Sequence, residues 1–331
     1  MIISKTPFRI SFFGGGTDYP SWVKRYGGKV ISTSIDKYCY ISIRNLPPFF
    51  DHKHRIVYSK IENVKNISEI KHPAVNAILS NFKVDKGIEI HHDGDLPARS
   101  GLGSSSSFCV GLINTLYAMN GQAASPQKLA DEAIYTEQIL LNEMVGFQDQ
   151  IATAFGGFNK INFFKDSSYS VEPVIIENKR KKNLDDNLLL FFTGFSRIAS
   201  EIAKVQDKNL EKNTSNLHTM SQMTIEAELI LNTSNRNLND FGRLLHEGWI
   251  LKKSLSSSIT NEKIDDIYDI ALSAGAEGGK VLGAGGGGFI LFYAEKKFHS
   301  AIKKALRKLV HVPFNFDNLG SKIVVYNPNG L

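Results

Sequence analysis

The chain is predicted to fold as an α+β protein of two domains. Three observations predict this. Segments rich in β-branched and aromatic residues recur through the first half, which is the pattern of strands. Long amphipathic stretches dominate after about residue 196, which is the pattern of helices. The length, 331 residues with 42% hydrophobic and 22% charged positions, is enough to bury two cores. Helices segregated against largely antiparallel sheets complete the class.

In chain order, 5–13 and 30–44 read as strands, with Gly14, Gly15 and Gly16 between them. Further strands are expected at 55–59 and 87–92, and helices at 73–82, 104–119 and 126–143. The last of these helices opens with Ser125 as cap and Pro126 at the first helical position, where proline's missing N–H costs nothing. Strands return at 158–164, 170–176 and 188–193. Residues 198–231, 238–255 and 264–274 read as helices, followed by a strand at 289–294, a helix at 296–309 and a last strand at 322–326. A boundary near 177–187 divides a first domain, 1–182, from a second, 183–331. The basic run 179–182 falls there and reads as a solvated loop.

Net charge is +6, from 39 basic and 33 acidic side chains scattered along the chain, so no nucleic-acid surface is expected. The two cysteines, Cys39 and Cys109, sit in apolar segments and read as buried thiols of a reducing compartment. The first residues carry no basic stretch followed by an apolar one, and the longest uncharged apolar run, 108–119, is too short to span a bilayer. A cytoplasmic protein with no membrane partner is expected, and homo-oligomer formation is left open.

Three glycine-rich segments carry the functional argument. The first is Pro97-Ala98-Arg99-Ser100-Gly101-Leu102-Gly103-Ser104-Ser105-Ser106-Ser107, between an expected strand and an apolar helix. Glycines let backbone amides approach a ligand, and a helix N-terminus attracts anions. One serine would suffice as a cap; four behind two glycines point to phosphate. No Gly-Lys-Ser/Thr is present, which removes the P-loop ATPases. The second, Gly283-Ala284-Gly285-Gly286-Gly287-Gly288, fits G-x-G-x-x-G, but a helix is expected before it and a strand after it. That order is the reverse of a dinucleotide fingerprint. A run this dense suggests close packing against a ligand or another loop. The third, Phe8-Arg9-Ile10-Ser11-Phe12-Phe13-Gly14-Gly15-Gly16-Thr17-Asp18-Tyr19, is a strand that delivers Arg9 and a turn offering a hydroxyl and a carboxylate.

Together and in this order the three segments resemble the GHMP kinase superfamily (galactokinase, homoserine kinase, mevalonate kinase, phosphomevalonate kinase) over essentially the whole chain. Residues 97–105 resemble its P-x-x-x-G-L-G-S-S motif, 283–288 its third motif, and Thr6-Pro7, Arg9 and Thr17-Asp18 the first motif of galactokinases. The resemblance implies a first domain like domain 2 of ribosomal protein S5 and a ferredoxin-like second domain with extra helices. It also implies ATP bound by Arg99, Ser100, Gly101, Leu102, Gly103, Ser104, Ser105 and Ser106. Gly146-Phe147-Gln148-Asp149-Gln150 stands where the family carries its catalytic aspartate, so Asp149 is expected to address the attacking hydroxyl, with Arg9 beside it. Ser105 and Glu137 are expected to hold Mg²⁺ with the ATP phosphates, the alternative for Glu137 being an exposed charge on its helix.

Galactokinases have Gly-Glu-His-Thr-Asp in the first motif, whereas this chain has Gly14-Gly15-Gly16-Thr17-Asp18. The change suits a larger or phosphorylated sugar, with Gly15, Gly16, Thr17, Asp18, Gly285 and Gly286 as substrate contacts. The runs 12–20, 35–40 and 245–252 resemble in particular the D-glycero-D-manno-heptose 7-phosphate kinase branch. That implies transfer to the C1 hydroxyl, giving a 1,7-bisphosphate for nucleotide-activated heptose and surface glycans. Fucokinase-like sequences share the triple glycine, so another sugar stays open. A nucleotide sensor that had lost catalysis would need neither Asp149 nor Arg9.

His91 and His92 are adjacent on a strand, so they face opposite sides and make a poor metal pair. Trp249 reads as a packing residue on its helix, with Lys252 and Lys253 exposed beside it; the alternative is that one of these lysines reaches the distal 7-phosphate of the acceptor.

Overall fold

A computed structural model describes residues 1–98, 100–194 and 211–328. Two strands form its spine: β1 (Ile2–Phe13) and β2 (Gly28–Asn45), with α1 (Pro20–Tyr26) in the connection. Then come β3 (His54–Val57), β4 (Ile61–Val64), α2 (Pro73–Asn81), β5 (Ile88–Gly94), α3 (Ser104–Met119) and α4 (Pro126–Tyr135). The middle of the chain holds α5 (Gln148–Phe155), β6 (Phe158–Phe163), β7 (Tyr169–Pro173), α6 (Asn178–Asp186) and β8 (Leu188–Phe192). The rest is α7 (Thr214–Asn232), α8 (Asn239–Ser254), α9 (Glu262–Ser273), β9 (Gly278–Val281), β10 (Phe289–Tyr293), α10 (His299–Ala305), β11 (Val310–His311), β12 (Phe316–Asp317) and β13 (Lys322–Tyr326).

The larger sheet runs β13-β1-β2-β5-β3-β4, and β2 also pairs with β6, which leads to β7, and with β12. Its pairings are antiparallel except β3 with β5. The smaller sheet, β11-β8-β10-β9, is antiparallel throughout. The chain therefore returns to its first sheet at the end: β12 and β13, far beyond residue 182, lie on β2 and β1. From Thr6 onward every residue of β1 is buried, because helices of both halves, α3 and α5 as well as α7 and α8, pack against it. Its register with β2 shifts between Pro7 and Phe8, where proline can donate no ladder hydrogen bond.

Phe12 ties the halves together. Its ring meets the edges of Phe158, Phe241 and Phe316 at 5.7, 5.3 and 6.1 Å, joining β1 to β6, α8 and β12. A fully buried phenylalanine of this kind contributes about 2–3 kcal/mol. Phe12 also fixes the wall of the site below, because its carbonyl accepts a hydrogen bond from Lys280.

Several expectations are corrected. The basic run 179–182 lies in α6, not in a loop; Lys182 pairs with Asp186 one turn on, and Arg180 donates to the carbonyls of Ile230 and Arg236. The 126–143 helix keeps α geometry only to Tyr135 and then widens into a π turn, Thr136–Leu140. A strand, β9, precedes the glycine run 283–288, so that run joins two antiparallel strands. Dinucleotide geometry stays excluded, since no helix follows it. The helix expected at 198–231 is α7 from Thr214; residues 198–210 lie outside the described residues. Both cysteines are buried and unbridged, and no described helix is long and apolar enough to cross a membrane.

Candidate active site

Two glycine-rich segments meet backbone to backbone. Gly101 (φ +83°) is so close to the second segment that a Cβ on it would lie 2.4 Å from the Leu282 carbonyl oxygen. A Cβ on Gly283 would lie 2.6 Å from Gly101 Cα. The amide of Phe289 donates to the Ser100 carbonyl at 3.1 Å. This close approach is the physical reason for glycine density on both sides. It also sets the N-terminus of α3, whose N-cap Gly103 is left-handed and offers no side-chain cap, at the edge of a cleft.

That cleft has a volume of about 980 Å³ and is walled by Gly101, Gly103, Ser104, Ser105, Glu137 and the Gly283–Gly285 backbone, among others. A smaller pocket of about 120 Å³ adjoins it, walled by Ser11, Gly15, Gly16, Asp18, Gln148, Lys252 and Lys280. Arg9, Ser105, Asp149, Gly283 and Ala284 belong to both walls.

Arg9 and Asp149 form the centre of this junction. The guanidinium grips the carboxylate with both prongs, Nε to Oδ1 at 2.8 Å and Nη2 to Oδ2 at 2.7 Å, and gives Nη1 to the Gly101 carbonyl at 2.7 Å. Arg9 is 3% exposed, whereas the Asp149 side chain is 33% exposed, so the carboxylate stays open to a ligand. Such a planar, two-pronged pair fixes orientation more firmly than a lysine would.

The first turn of α5 fans three consecutive side chains to three partners. Asp149 goes to Arg9. Gln148 accepts from the Ser11 hydroxyl at 3.1 Å and gives its backbone amide to Asp18 Oδ2 at 3.3 Å. Gln150 donates to Glu137 Oε2, which also accepts from the Ser106 hydroxyl at 2.8 Å. Glu137 is 1% exposed, and its Oε1 has no partner. Burial pushes its pKa up to about 7, against the lowering effect of Ser106 and Gln150. Asp18 is buried too, and its pKa is raised by burial and then by nearby Asp149, while the Gly16 and Gln148 amides oppose the shift.

The expected site residues are thus placed as follows. Arg9, Gly15, Gly16, Asp18, Asp149, Gly101, Gly103, Ser104, Ser105 and Ser106 come together around the two cavities, whereas Ser100 and Leu102 are fully buried and line neither, and Arg99 lies outside the described residues. Ser106, not Ser105, meets Glu137; Ser105 is exposed on the wall that both cavities share. Thr17 turns away from the pocket: it is fully buried, and its hydroxyl is committed to the Gly14 and Lys29 carbonyls at 2.8 and 3.1 Å. Gly285 walls the larger cleft, and the Gly286 amide is spent on the Ile259 carbonyl. Trp249 is core, as expected, but Lys252 is not exposed; it is buried, facing the smaller pocket, and only Lys253 reaches outward, to Asp265. His91 pairs with Glu89 while His92 lies edge-on to Phe108, so they share no ligand.

Sequence reasoning missed Lys280, Gln148 and Ser11. Lys280 had one signal: it is the only charged residue in β9, a strand buried at all four positions, immediately before the glycine run.

The GHMP kinase N-terminal domain model matches residues 68–157, and the GHMP kinase C-terminal model matches 227–311. A D-glycero-alpha-D-manno-heptose 7-phosphate kinase of Campylobacter jejuni is 30% identical over 321 residues, covering 93% of either chain. Among solved structures, a D-glycero-D-manno-heptose 1-phosphate kinase from Bacteroides thetaiotaomicron superposes with a TM-score of 0.80 at 25% identity, covering 99% of this chain and 100% of that one. A putative sugar kinase from Campylobacter jejuni superposes with a TM-score of 0.72 at 26% identity, covering 97% of each. The chain belongs to the GHMP kinases and is an ATP-dependent kinase that phosphorylates a sugar hydroxyl.

Proposed function

We propose that the enzyme transfers the γ-phosphoryl group of ATP to the C1 hydroxyl of D-glycero-D-manno-heptose 7-phosphate, yielding the 1,7-bisphosphate. The observation that carries this reading is the Arg9–Asp149 pair on the wall common to both cavities. The larger cleft, with its uncapped helix end and close-packed glycines, suits the nucleotide triphosphate. The smaller pocket suits the sugar. Two of the similar proteins are named for heptose phosphates, which supports a phosphorylated seven-carbon acceptor.

In this reading Asp149 orients the acceptor hydroxyl and takes its proton as the new O–P bond forms and the bond from the γ-phosphorus to the bridging oxygen breaks, releasing ADP. Arg9 holds Asp149 in place and steadies charge on the group in transit. Asp18 and Gln148 hold sugar hydroxyls, Asp18 being fixed by the Gly16 amide at 3.0 Å. Glu137 and Ser106, with Ser105 nearby, would hold Mg²⁺. The donor set fits: the buried Glu137 carboxylate keeps one oxygen without a protein partner beside the Ser106 hydroxyl, and both are hard oxygen donors. Such a site leaves most ligand positions to phosphate and water, as Mg²⁺ prefers. When bound, the ion would neutralise phosphate charge.

Asp149→Asn tests the assignment. It keeps the shape and loses the base, so kcat should fall by about 10²–10⁴ while ATP affinity holds. Near-native turnover in that variant would remove Asp149 from the chemistry.

A further inference from the structure

Two buried ammonium groups face the smaller pocket without a carboxylate partner. Lys252, on α8, and Lys280, on β9, are each 7% exposed and both wall the pocket. Neither forms a carboxylate ion pair among the described residues. Lys252 donates to the Gly283 carbonyl, and Lys280 to the Phe12 carbonyl at 2.8 Å. An ammonium has three donors, so one neutral carbonyl leaves two of them unused on either lysine; Asp18 and Asp149 lie close enough to act on Lys252, and no carboxylate is among the groups that act on Lys280. The Gln148 Nε2 is likewise buried and unpartnered on the same wall.

Lys252 feels Arg9, Asp18 and Asp149, whereas the charges acting on Lys280 are those of Lys252 and Arg9. The charged neighbours of Lys280 are thus positive. Burial lowers the pKa of both amines, Lys252 to about 8 and Lys280 well below its ordinary value. Sugar hydroxyls alone do not account for this arrangement, because neutral donors and acceptors would serve them without the cost of a buried charge. A dianionic group does, since each lysine binds phosphate as a point charge.

We propose that Lys280, with Lys252 beside it, receives the phosphate that the acceptor sugar carries before the reaction, so that the pocket selects sugar phosphates over free sugars. The inference rests on the reading of this pocket as the acceptor site. A free sugar would leave both ammonium groups buried and unmatched, and sites built around a buried polar contact reject analogues that lack it by roughly 10⁴-fold.

The test compares kcat/KM for heptose 7-phosphate and for free heptose in the native enzyme, Lys280→Met and Lys252→Met. The native enzyme should prefer the phosphate by about 10³-fold or more, and Lys280→Met should erase at least roughly 30-fold of that preference, chiefly through KM. Removing an unpaired buried charge should leave the Lys280→Met thermal midpoint no lower than native. Should that variant fail to fold, Lys252→Met carries the same readouts. As a ligand-only arm, inorganic phosphate should raise the native thermal midpoint more than that of Lys280→Met. Equal native turnover of both sugars, an unchanged preference in the variants, or equal phosphate shifts would overturn the proposal and leave the kinase reading standing. Absence of ADP release with every sugar and sugar phosphate would instead overturn the acceptor-site reading, and the phosphate shifts would still decide the pocket's charge.

Discussion

A single methyl group at Gly146 should uncouple the sugar side of the site from the nucleotide side. A Cβ there would stand 1.9 Å from Asp18 Oδ2 and 2.6 Å from its Cγ. Ordinary contact begins near 3.4 Å, so the Asp18 carboxylate has to retreat by about 1.5 Å. It cannot do so without loosening its bonds from the Gly16 and Gln148 amides. The backbone of Gly146 has no positive φ, so alanine brings no conformational strain of its own and the clash is the whole effect. Overpacking of this kind costs about 1–3 kcal/mol. At roughly 2–4 °C per kcal/mol, the midpoint falls by a few degrees and the protein stays folded. A displacement beyond 1 Å at a binding carboxylate lowers kcat/KM for the sugar by about 10²-fold. No residue of the 100–107 loop is among the close neighbours of that methyl, so the KM for ATP should hold. Steady-state kinetics with each substrate varied in turn gives the split, and a double-mutant cycle with Asp18→Ala identifies its cause. In the Asp18→Ala background the methyl has nothing to strike, so its effect should vanish. Equal losses for Gly146→Ala in both backgrounds, or a loss confined to ATP, would refute the assignment of Asp18 to the sugar pocket.

Other consequences follow from the same geometry. Glu137 has a pKa of about 7 in the fold against an ordinary 4.5, so its neutral form contributes stability below pH 4.5 that is lost as pH rises to 7. Above pH 7 the apoprotein carries a buried carboxylate at a cost of about 3 kcal/mol. Glu137→Gln should therefore melt later than native at pH 8 and alike at pH 4.5, while losing roughly 10–100-fold in Mg·ATP affinity at pH 8. An equal melting shift at both pH values would refute the buried-acid account. Binding of Mg·ATP at pH 6.5 should release a proton from Glu137, read by calorimetry in buffers of different ionisation enthalpy; heats independent of buffer would count against it. Gly101→Ala combines a left-handed φ of +83° with a contact of 2.4 Å to the Leu282 oxygen, so it should raise the KM for ATP well above that for the sugar. A loss confined to the sugar would contradict the packing of the two glycine segments.

Much of this site was legible in the sequence, and the reasons differ from residue to residue. Helix α3 and the strand 322–326 were visible because apolar periodicity and β-branched runs are local signals. The 100–106 loop was legible because its glycines and serines are contiguous. The Arg9–Asp149 pair was reached through motif order, since 140 residues separate its members and no local property of either reveals the other. The choice between Ser105 and Ser106 was not legible: neighbours on a helix point about 100° apart, and only the position of Glu137 decides which one meets it. Thr17 departs from expectation because a hydroxyl beside a binding carboxylate can as readily close the turn that presents it. Lys252 and Lys280 come from α8 and β9, and their charge gains meaning only when the two elements face the Phe12 end of β1. The return of β12 and β13 to the first sheet is long-range pairing, which no window of sequence encodes.

The most direct test of the central claim is a measurement of ADP release by the purified protein with Mg·ATP and a panel of heptose 7-phosphate, free heptose, fucose and galactose, with phosphorus NMR of the product. Strong turnover on heptose 7-phosphate is expected, with a new phosphate on the anomeric carbon. Turnover confined to another sugar, or phosphorylation at a different carbon, would contradict it.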